Sequence, residues 1–308
     1  MKLLDAAATA RALPWPALMA AIEQVLAAQH QGQVQVPERS VHSIAPDTRW
    51  FLMPAWSTPE AGGLAIMKLI TYNAQNPARG LAAILGDVLV LRTDTGERLA
   101  LLDGPVLTAR RTAAVTAIAA RRLAAQPGGP LLMFGAGAQA LAHLQVFHEV
   151  LGVRELWLRS RGAEGEQRLM AAAQALGVTV HRATDLDAAL ARCPLVICAT
   201  PANTVCMDRP PRDDAFVAAI GGFTTAMAEV AAPVVQHIAA RGRVVLDTAR
   251  ARHEAGEVAQ AGLDGDALPL LGEVTAASGG PAGPVLFKSC GAALWDLAAA
   301  HCAVGAPG

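Results

Sequence analysis

Three lysines stand among 25 basic residues in this chain of 308: Lys2, Lys68 and Lys288. A composition that prefers arginine so strongly makes an internal lysine either chance or a position that wants a compact amine able to exchange a proton. Lys68 lies in Ile66-Met67-Lys68-Leu69-Ile70, an apolar run with almost no polar relief. On an edge strand such a lysine would reach solvent. In a central strand it would be desolvated, its pKa lowered, and able to pass a proton to an incoming carbonyl or imine. Arginines supply the second chemistry, since their planar fork suits a carboxylate. The candidates are Arg39, Arg79, Arg110 and Arg111. Arg111 is favoured, because it opens an apolar helix near a domain boundary, where pockets concentrate. His42 is a minor candidate acid, and His143 reads as a helix-surface residue.

The third chemistry is in Pro130 to Arg161. The apolar run Leu131-Leu132-Met133-Phe134 is followed by Gly135-Ala136-Gly137-Ala138-Gln139-Ala140, then by apolar residues at helical spacing up to Gly152, then by Glu155-Leu156-Trp157-Leu158. Strand, glycine turn, helix and strand make the βαβ unit that holds a dinucleotide. Gly135 permits the tight turn, and Gly137 removes a Cβ that would block the pyrophosphate. Ala140 takes the place of the usual third glycine. The phosphates are expected on free N–H groups at the helix N-terminus. The second strand ends in Arg159-Ser160-Arg161, where an NAD site usually carries an acidic residue. Two guanidinium groups and a hydroxyl suit a 2′-phosphate, so NADPH is expected over NADH.

The elements that must position these groups follow in order. Residues 14 to 30 read as an amphipathic helix on Leu18, Ile22, Val25 and Leu26. From Val34 to Leu102 the period is that of strands: 50–53, 64–72, 81–91 and 99–102, with a turn at Asp94-Thr95-Gly96. Thr108 reads as the N-cap of a helix over 109–125. Beyond Arg161 the spacing predicts helix 164–176, strand 178–180, helix 186–191, and strands 195–199 and 216–220. A helix at 232–240 and a strand at 243–247 follow. Repeated βα units imply a doubly wound parallel sheet whose ligand lies at the carboxyl ends of its strands. That places Thr200, Pro201, Gly221 and Gly222 beside the cofactor. The glycine- and proline-rich stretch at 279–284 suggests a crossing back to the first domain before Phe287-Lys288 and a last helix over 291–301.

Net charge of −1 and pI near 6.7 give no reason to expect nucleic acid or an acidic membrane as partner. No apolar span reaches membrane length, and the N-terminus lacks a signal peptide's apolar region. Five cysteines form no CxxC pair, so no metal site is expected and the chain reads as cytoplasmic and reduced.

Arg111-Thr112-Ala113-Ala114, the glycine loop, Met53-Pro54, Lys68, Asn76 to Leu81, Asp94-Thr95-Gly96 and Phe287-Lys288-Ser289-Cys290-Gly291 together resemble the ornithine cyclodeaminase/mu-crystallin family. The resemblance implies an α/β fold: a doubly wound Rossmann domain over 113–285, and a smaller β-rich substrate and dimerisation domain from 1–112 and 286–308. A homodimer is implied. It also implies that Arg39, Lys68 and Arg111 contact substrate, and that Thr112, Gly135, Ala136, Gly137, Ala138, Gln139 and the Arg159 region contact cofactor. Lys288 is a further candidate cofactor contact. The cyclodeaminases carry an aspartate after a double glycine, whereas here Gly221-Gly222 is followed by Phe223, which cannot take a proton. With Arg159-Ser160-Arg161, this departure points to the branch that reduces cyclic imino acids.

The expected reaction is NADPH-dependent reduction of Δ1-pyrroline-2-carboxylate or Δ1-piperideine-2-carboxylate to L-proline or L-pipecolate, with NADH a weaker alternative. Such products belong to proline and hydroxyproline metabolism and lysine degradation. Arg39 and Arg111 would hold the carboxylate, Lys68 would keep the ring nitrogen an iminium, and Thr224 would help to hold the substrate where the aspartate is missing. The alternatives are reductive amination of a 2-oxo acid, as in an alanine dehydrogenase, ornithine cyclodeamination, or ligand binding without turnover.

Overall fold

Alternation at every second residue organises the first part of the chain. In the computed structural model, which describes residues 1–274 and 283–305, strands β1 (Lys2–Leu4), β2 (Val34–Gln35), β3 (Ser40–Ala45), β4 (Thr48–Ser57), β5 (Leu64–Asn73), β6 (Ile84–Arg92) and β7 (Arg98–Asp103) form one sheet. Its order is β1-β7-β6-β5-β4-β2, with β3 also pairing β4. Every pairing is antiparallel except that of β1 with β7. The hairpin-linked strands expected from the sequence are present. In β5, Leu64, Ile66, Lys68 and Ile70 are buried in one phase, and Ala65, Met67 and Leu69 lie in the other. Opposite Lys68 stand Met53 on β4 and Val88 on β6, both buried. The inner face is covered by α10 (Ala293–Val304), which packs on β4 and β5 beside α2 (Trp15–His30). A short α1 (Ala6–Ala12), which the apolar pattern did not suggest, is N-capped by Asp5.

Helix α3 runs over Gly104–Leu123 and starts earlier than its apolar pattern suggests. Thr108 is not its N-cap but lies within it. The carboxylate of Asp103 accepts from Val106 N at 2.8 Å, and Pro105 follows in the first turn, where its missing N–H costs nothing.

The second sheet is made of β8 (Leu131–Phe134), β9 (Glu155–Arg159), β10 (Thr179–Arg182), β11 (Leu195–Cys198), β12 (Phe216–Ala219), β13 (Arg243–Leu246) and β14 (Val285–Lys288). All pairings are parallel, in the order β10-β9-β8-β11-β12-β14-β13. The strands are joined mostly through α4 (Ala138–Leu151), α5 (Ala163–Ala175), α6 (Leu186–Arg192), α7 (Ala232–Arg241), α8 (Ala251–Glu254) and α9 (Gly256–Gln260). β8, β11, β12 and β14 are buried along their whole length, the signature of parallel strands covered on both faces. From β8 the chain winds outward through β9 and β10, then returns to β11 on the other side of β8. The topological switch point therefore lies between β8 and β11, where such sheets bind ligands. This is the doubly wound sheet expected from the repeated βα pattern.

The chain divides into two compact units, residues 1–111 with 292–308 and residues 112–291. A return to the first domain from residue 286 is therefore too early. Val285–Lys288 is an interior strand of the second sheet, paired with both β12 and β13. Ser289 Oγ and Gly291 N then donate to Asp247 Oδ2 at 2.8 and 2.9 Å, fixing the chain to the end of β13 before it leaves. Of the glycine- and proline-rich stretch at 279–284, residues 279–282 lie outside the described residues. Among the described residues no helix is long and apolar enough to cross a membrane, and no group of His, Cys, Asp or Glu side chains is arranged to hold a metal.

Candidate active site

In the first unit, one carboxylate gathers two of the predicted residues. Lys68, on an interior strand rather than an edge, is fully buried. Its ammonium donates to both oxygens of Asp296 on α10, at 3.2 and 3.3 Å. Arg111 Nε donates to the same Asp296 Oδ1 at 3.1 Å and is itself buried. Burial pulls the Lys68 ammonium down to about 8. Asp296 opposes that shift, while the charges of Arg111 and Arg39 add to it. The half-buried Arg39 therefore lies within electrostatic reach of the amine. Two cations share one anion in a buried setting, with a third cation close by. Such a cluster favours an incoming anion. Asp296 was missed from the sequence, although it is the one ionisable residue in an otherwise apolar run, Ala292 to Ala300.

The other candidates of the first unit do different work. Arg110 donates to Leu13 O at 2.9 Å and stacks its guanidinium 3.8 Å from the Trp15 ring centre, so it ties α3 to α2 rather than awaiting a carboxylate. Arg79 and His42 are exposed.

In the second unit the glycine loop has the geometry its sequence requires. Gly135 has φ +100°, and a Cβ there would stand 2.3 Å from Ala199 O. Its N–H donates to Arg159 O at 2.9 Å, so the arginine-bearing tip of β9 lies directly beside the turn. Around Gly137 a Cβ would meet nothing within 4 Å. This open cradle, in front of Ala138 and Gln139 at the start of α4, fits a pyrophosphate. Arg159 and Arg161 are exposed, and Arg159 also donates to Ala183 O at 3.2 Å. The Ser160 hydroxyl is engaged by Glu166 Oε2 at 2.8 Å, a partner absent from the sequence reading. Thr112 is buried in α3. Thr200 and Pro201 follow β11, and Gly221 and Phe223 follow β12. Thr224 is exposed in a turn of this unit, with its carbonyl accepting from Met227 N at 3.0 Å.

Two expectations in this unit need correction. Lys288 is fully buried, its amine 2.8 Å from Glu257 Oε2, which commits it to an internal ion pair instead of a cofactor contact. Burial lowers its proton affinity, but Glu257, Cys290 and Glu229 together outweigh this and leave the ammonium above its usual value. His143 is not a surface residue. It is fully buried between Gln139 O (2.7 Å) and Thr116 Oγ1 (3.0 Å), and burial lowers it to about 4, which keeps it neutral. A second acidic residue, Glu229, is also fully buried, and burial pushes its carboxyl up to about 7 against the opposing pull of Lys288 and of N–H donors.

The description of the ornithine cyclodeaminase/mu-crystallin family matches residues 2–304. Δ1-pyrroline-2-carboxylate reductase 1 of Burkholderia multivorans is 36% identical over 300 residues, covering 97% of this chain and 94% of the relative. The Δ1-pyrroline-2-carboxylate/Δ1-piperideine-2-carboxylate reductase of Azospirillum brasilense is 36% identical over 299 residues, with the same coverage of each. Among solved structures, Δ1-pyrroline-2-carboxylate reductase of Thermococcus litoralis, in complex with NADH and L-proline, superposes with a TM-score of 0.86 over 99% of this chain and 96% of that one, at 21% identity.

Proposed function

Since this chain belongs to the ornithine cyclodeaminase/mu-crystallin family, we propose that it is a reductase of cyclic imino acids, converting Δ1-pyrroline-2-carboxylate or Δ1-piperideine-2-carboxylate to L-proline or L-pipecolate. The observation that carries this reading is the buried Lys68–Asp296–Arg111 cluster, where an amine lowered to about 8 stands beside a guanidinium. The two named reductases, 36% identical over nearly the whole chain, support it.

Arg111, held edge-on by Asp296 through Nε, keeps its two terminal nitrogens for the carboxylate of the substrate. Arg39 is the second anchor. Lys68 holds the proton that keeps the ring nitrogen an iminium and so makes the adjacent carbon electrophilic. Asp296 stabilises the ammonium form against the burial that disfavours it. The dinucleotide bound by the second unit supplies the hydride. Arg159 and Arg161 beside the glycine turn favour the 2′-phosphate of NADPH, with NADH used less well. Thr112, Thr200, Pro201 and Gly221 are the further cofactor positions, and Thr224 a substrate position.

The protein acts as a homodimer in this reading. One face of the first sheet carries the apolar side chains Trp56, Leu69 and Leu85, each about 40% exposed, on neighbouring strands. A second copy would cover them. Oxidation of NADPH with five- and six-membered cyclic imino acids side by side, against pyruvate plus ammonia, tests the proposal. Turnover of the cyclic imines is expected. Turnover of pyruvate with ammonia and not of the imines would replace it with an alanine dehydrogenase.

A further inference from the structure

The second unit buries a carboxylate for which the imine reduction has no direct use. Glu229 lies between β12 and α7 in the chain, and among the described residues its carboxylate accepts four hydrogen bonds. Thr200 N and Thr200 Oγ1 reach Oε1 at 2.6 and 2.7 Å. Gly221 N and Ile220 N reach Oε2 at 2.6 and 2.9 Å. These donors sit in the two loops that follow β11 and β12, at the carboxyl ends of the sheet beside the switch point.

The loops leave little slack. A Cβ on Gly221 would stand 2.0 Å from Thr200 O and 2.8 Å from Glu229 Oε1, while Gly135 packs in the same way on Ala199 O. The Thr200 hydroxyl, having donated to Glu229, accepts from Ala202 N at 3.1 Å. Ala202 is the one non-glycine residue with positive φ among the described residues, at 55°. Such a conformation costs a side-chain-bearing residue free energy, so it persists where neighbours impose it. Glu229 is itself fixed. Its N–H donates to Glu257 Oε1 at 2.9 Å, and its carbonyl accepts from Cys206 N and Met207 N at 2.8 and 3.0 Å. Lys288 closes the chain of contacts through Glu257.

We propose that Glu229 is a positioning residue of the dinucleotide site: its carboxylate holds the Thr200 and Gly221 loops in the arrangement that receives the cofactor. Only a group that accepts on both arms fits. An amide of the same shape would turn an NH2 toward N–H donors. The inference rests on the second unit being the dinucleotide site.

The test is Glu229→Gln at pH 8, with dissociation constants for NADPH and NADH from fluorescence titration, and with kcat and the imino-acid KM at saturating cofactor. The expected result is cofactor affinity weakened by about tenfold or more, with the imino-acid KM changed less than about twofold. Hydrogen exchange should quicken at Thr200, Ile220 and Gly221 and stay unchanged in β8 and β11. Glu229→Asp, which keeps both acceptors on a shorter arm, should recover part of the affinity. Should the Gln variant fold poorly, Glu229→Asp alone should give a smaller loss of the same kind. Unchanged cofactor affinity in these variants, beside a wild type that binds, overturns the inference alone. Equal losses toward cofactor and imino acid, with exchange quickened throughout, overturn it in favour of a merely structural role. A wild type that binds neither dinucleotide overturns the reading of the unit and the inference with it.

Discussion

Lys68 and Lys288 are the internal lysines of a chain that otherwise uses arginine, and both are fully buried. Their surroundings differ in sign. Around Lys68, an amine and a guanidinium share one carboxylate, with Arg39 nearby. Around Lys288, one amine serves two carboxylates, Glu257 directly and Glu229 through its charge. Burial lowers the first lysine to about 8, while the carboxylates around the second raise it above its usual value. In the first cluster, Lys68 and Arg111 share the one carboxylate of Asp296, a local excess of positive charge that suits an anionic substrate. The surplus negative charge of the second is answered by backbone N–H groups of loops. The difference teaches that burial alone does not mark a reactive lysine. The count of opposing charges around it does.

Breaking the first cluster should have the largest effect. Lys68→Met is expected to lower kcat/KM for the cyclic imine by about 10²–10⁴-fold, with the NADPH dissociation constant within about twofold of wild type. Lys288→Met, by contrast, leaves Glu257 and Glu229 without their cation. It should appear first as lost stability, about 3–5 kcal/mol, in a denaturant titration. Similar kinetic losses in both variants, with equal stability, would erase the distinction.

Asp296 sharpens the comparison through pH. Because folding lowers Lys68 from 10.5 to about 8, the unfolded chain holds this proton more tightly. The amine therefore costs stability below pH 8, and that cost fades as pH rises toward 10.5. Activity should run the other way: with the ammonium as the working form of the proposed mechanism, kcat/KM should fall as pH rises past about 8. Asp296→Asn removes the group that favours the ammonium, and the alkaline limb should move about one unit or more to lower pH. A limb that stays in place would show that another group titrates. The smallest effect expected is on cofactor choice. Replacing Arg159 and Arg161 by Ala should weaken NADPH roughly 10–100-fold and NADH much less, as read by paired fluorescence titrations. Equal losses would remove the 2′-phosphate from the account.

Much of this contrast was legible in the sequence. The scarcity of lysine singled out both positions, and the apolar strand around Lys68 implied its burial. Glycine spacing between two short apolar runs located the turn from β8 into α4 and the tip of β9. What escaped was long-range. Asp296 lies 228 residues from Lys68, and nothing local indicates that α10 brings it under β5. β14 enters the sheet between β12 and β13, out of chain order, and a four-residue apolar strand carries no register information. Glu229 escaped because three of its four donors are backbone N–H groups, which leave no mark on composition. The start of α3 was local, by contrast. Asp103-Gly104-Pro105 is a helix-start signal that outranks Thr108.

The most direct test of the central claim is an NMR titration of the protein labelled with 13C at the lysine ε carbons. The chain gives three signals, and Lys68→Met assigns the one of interest. Lys68 should titrate near pH 8. Saturation with pyrrole-2-carboxylate, a planar five-membered anion that cannot be reduced, should move its midpoint upward, because the anion favours the ammonium. A Lys68 that titrates above about pH 10, like an ordinary solvated lysine, and ignores the anion would contradict it.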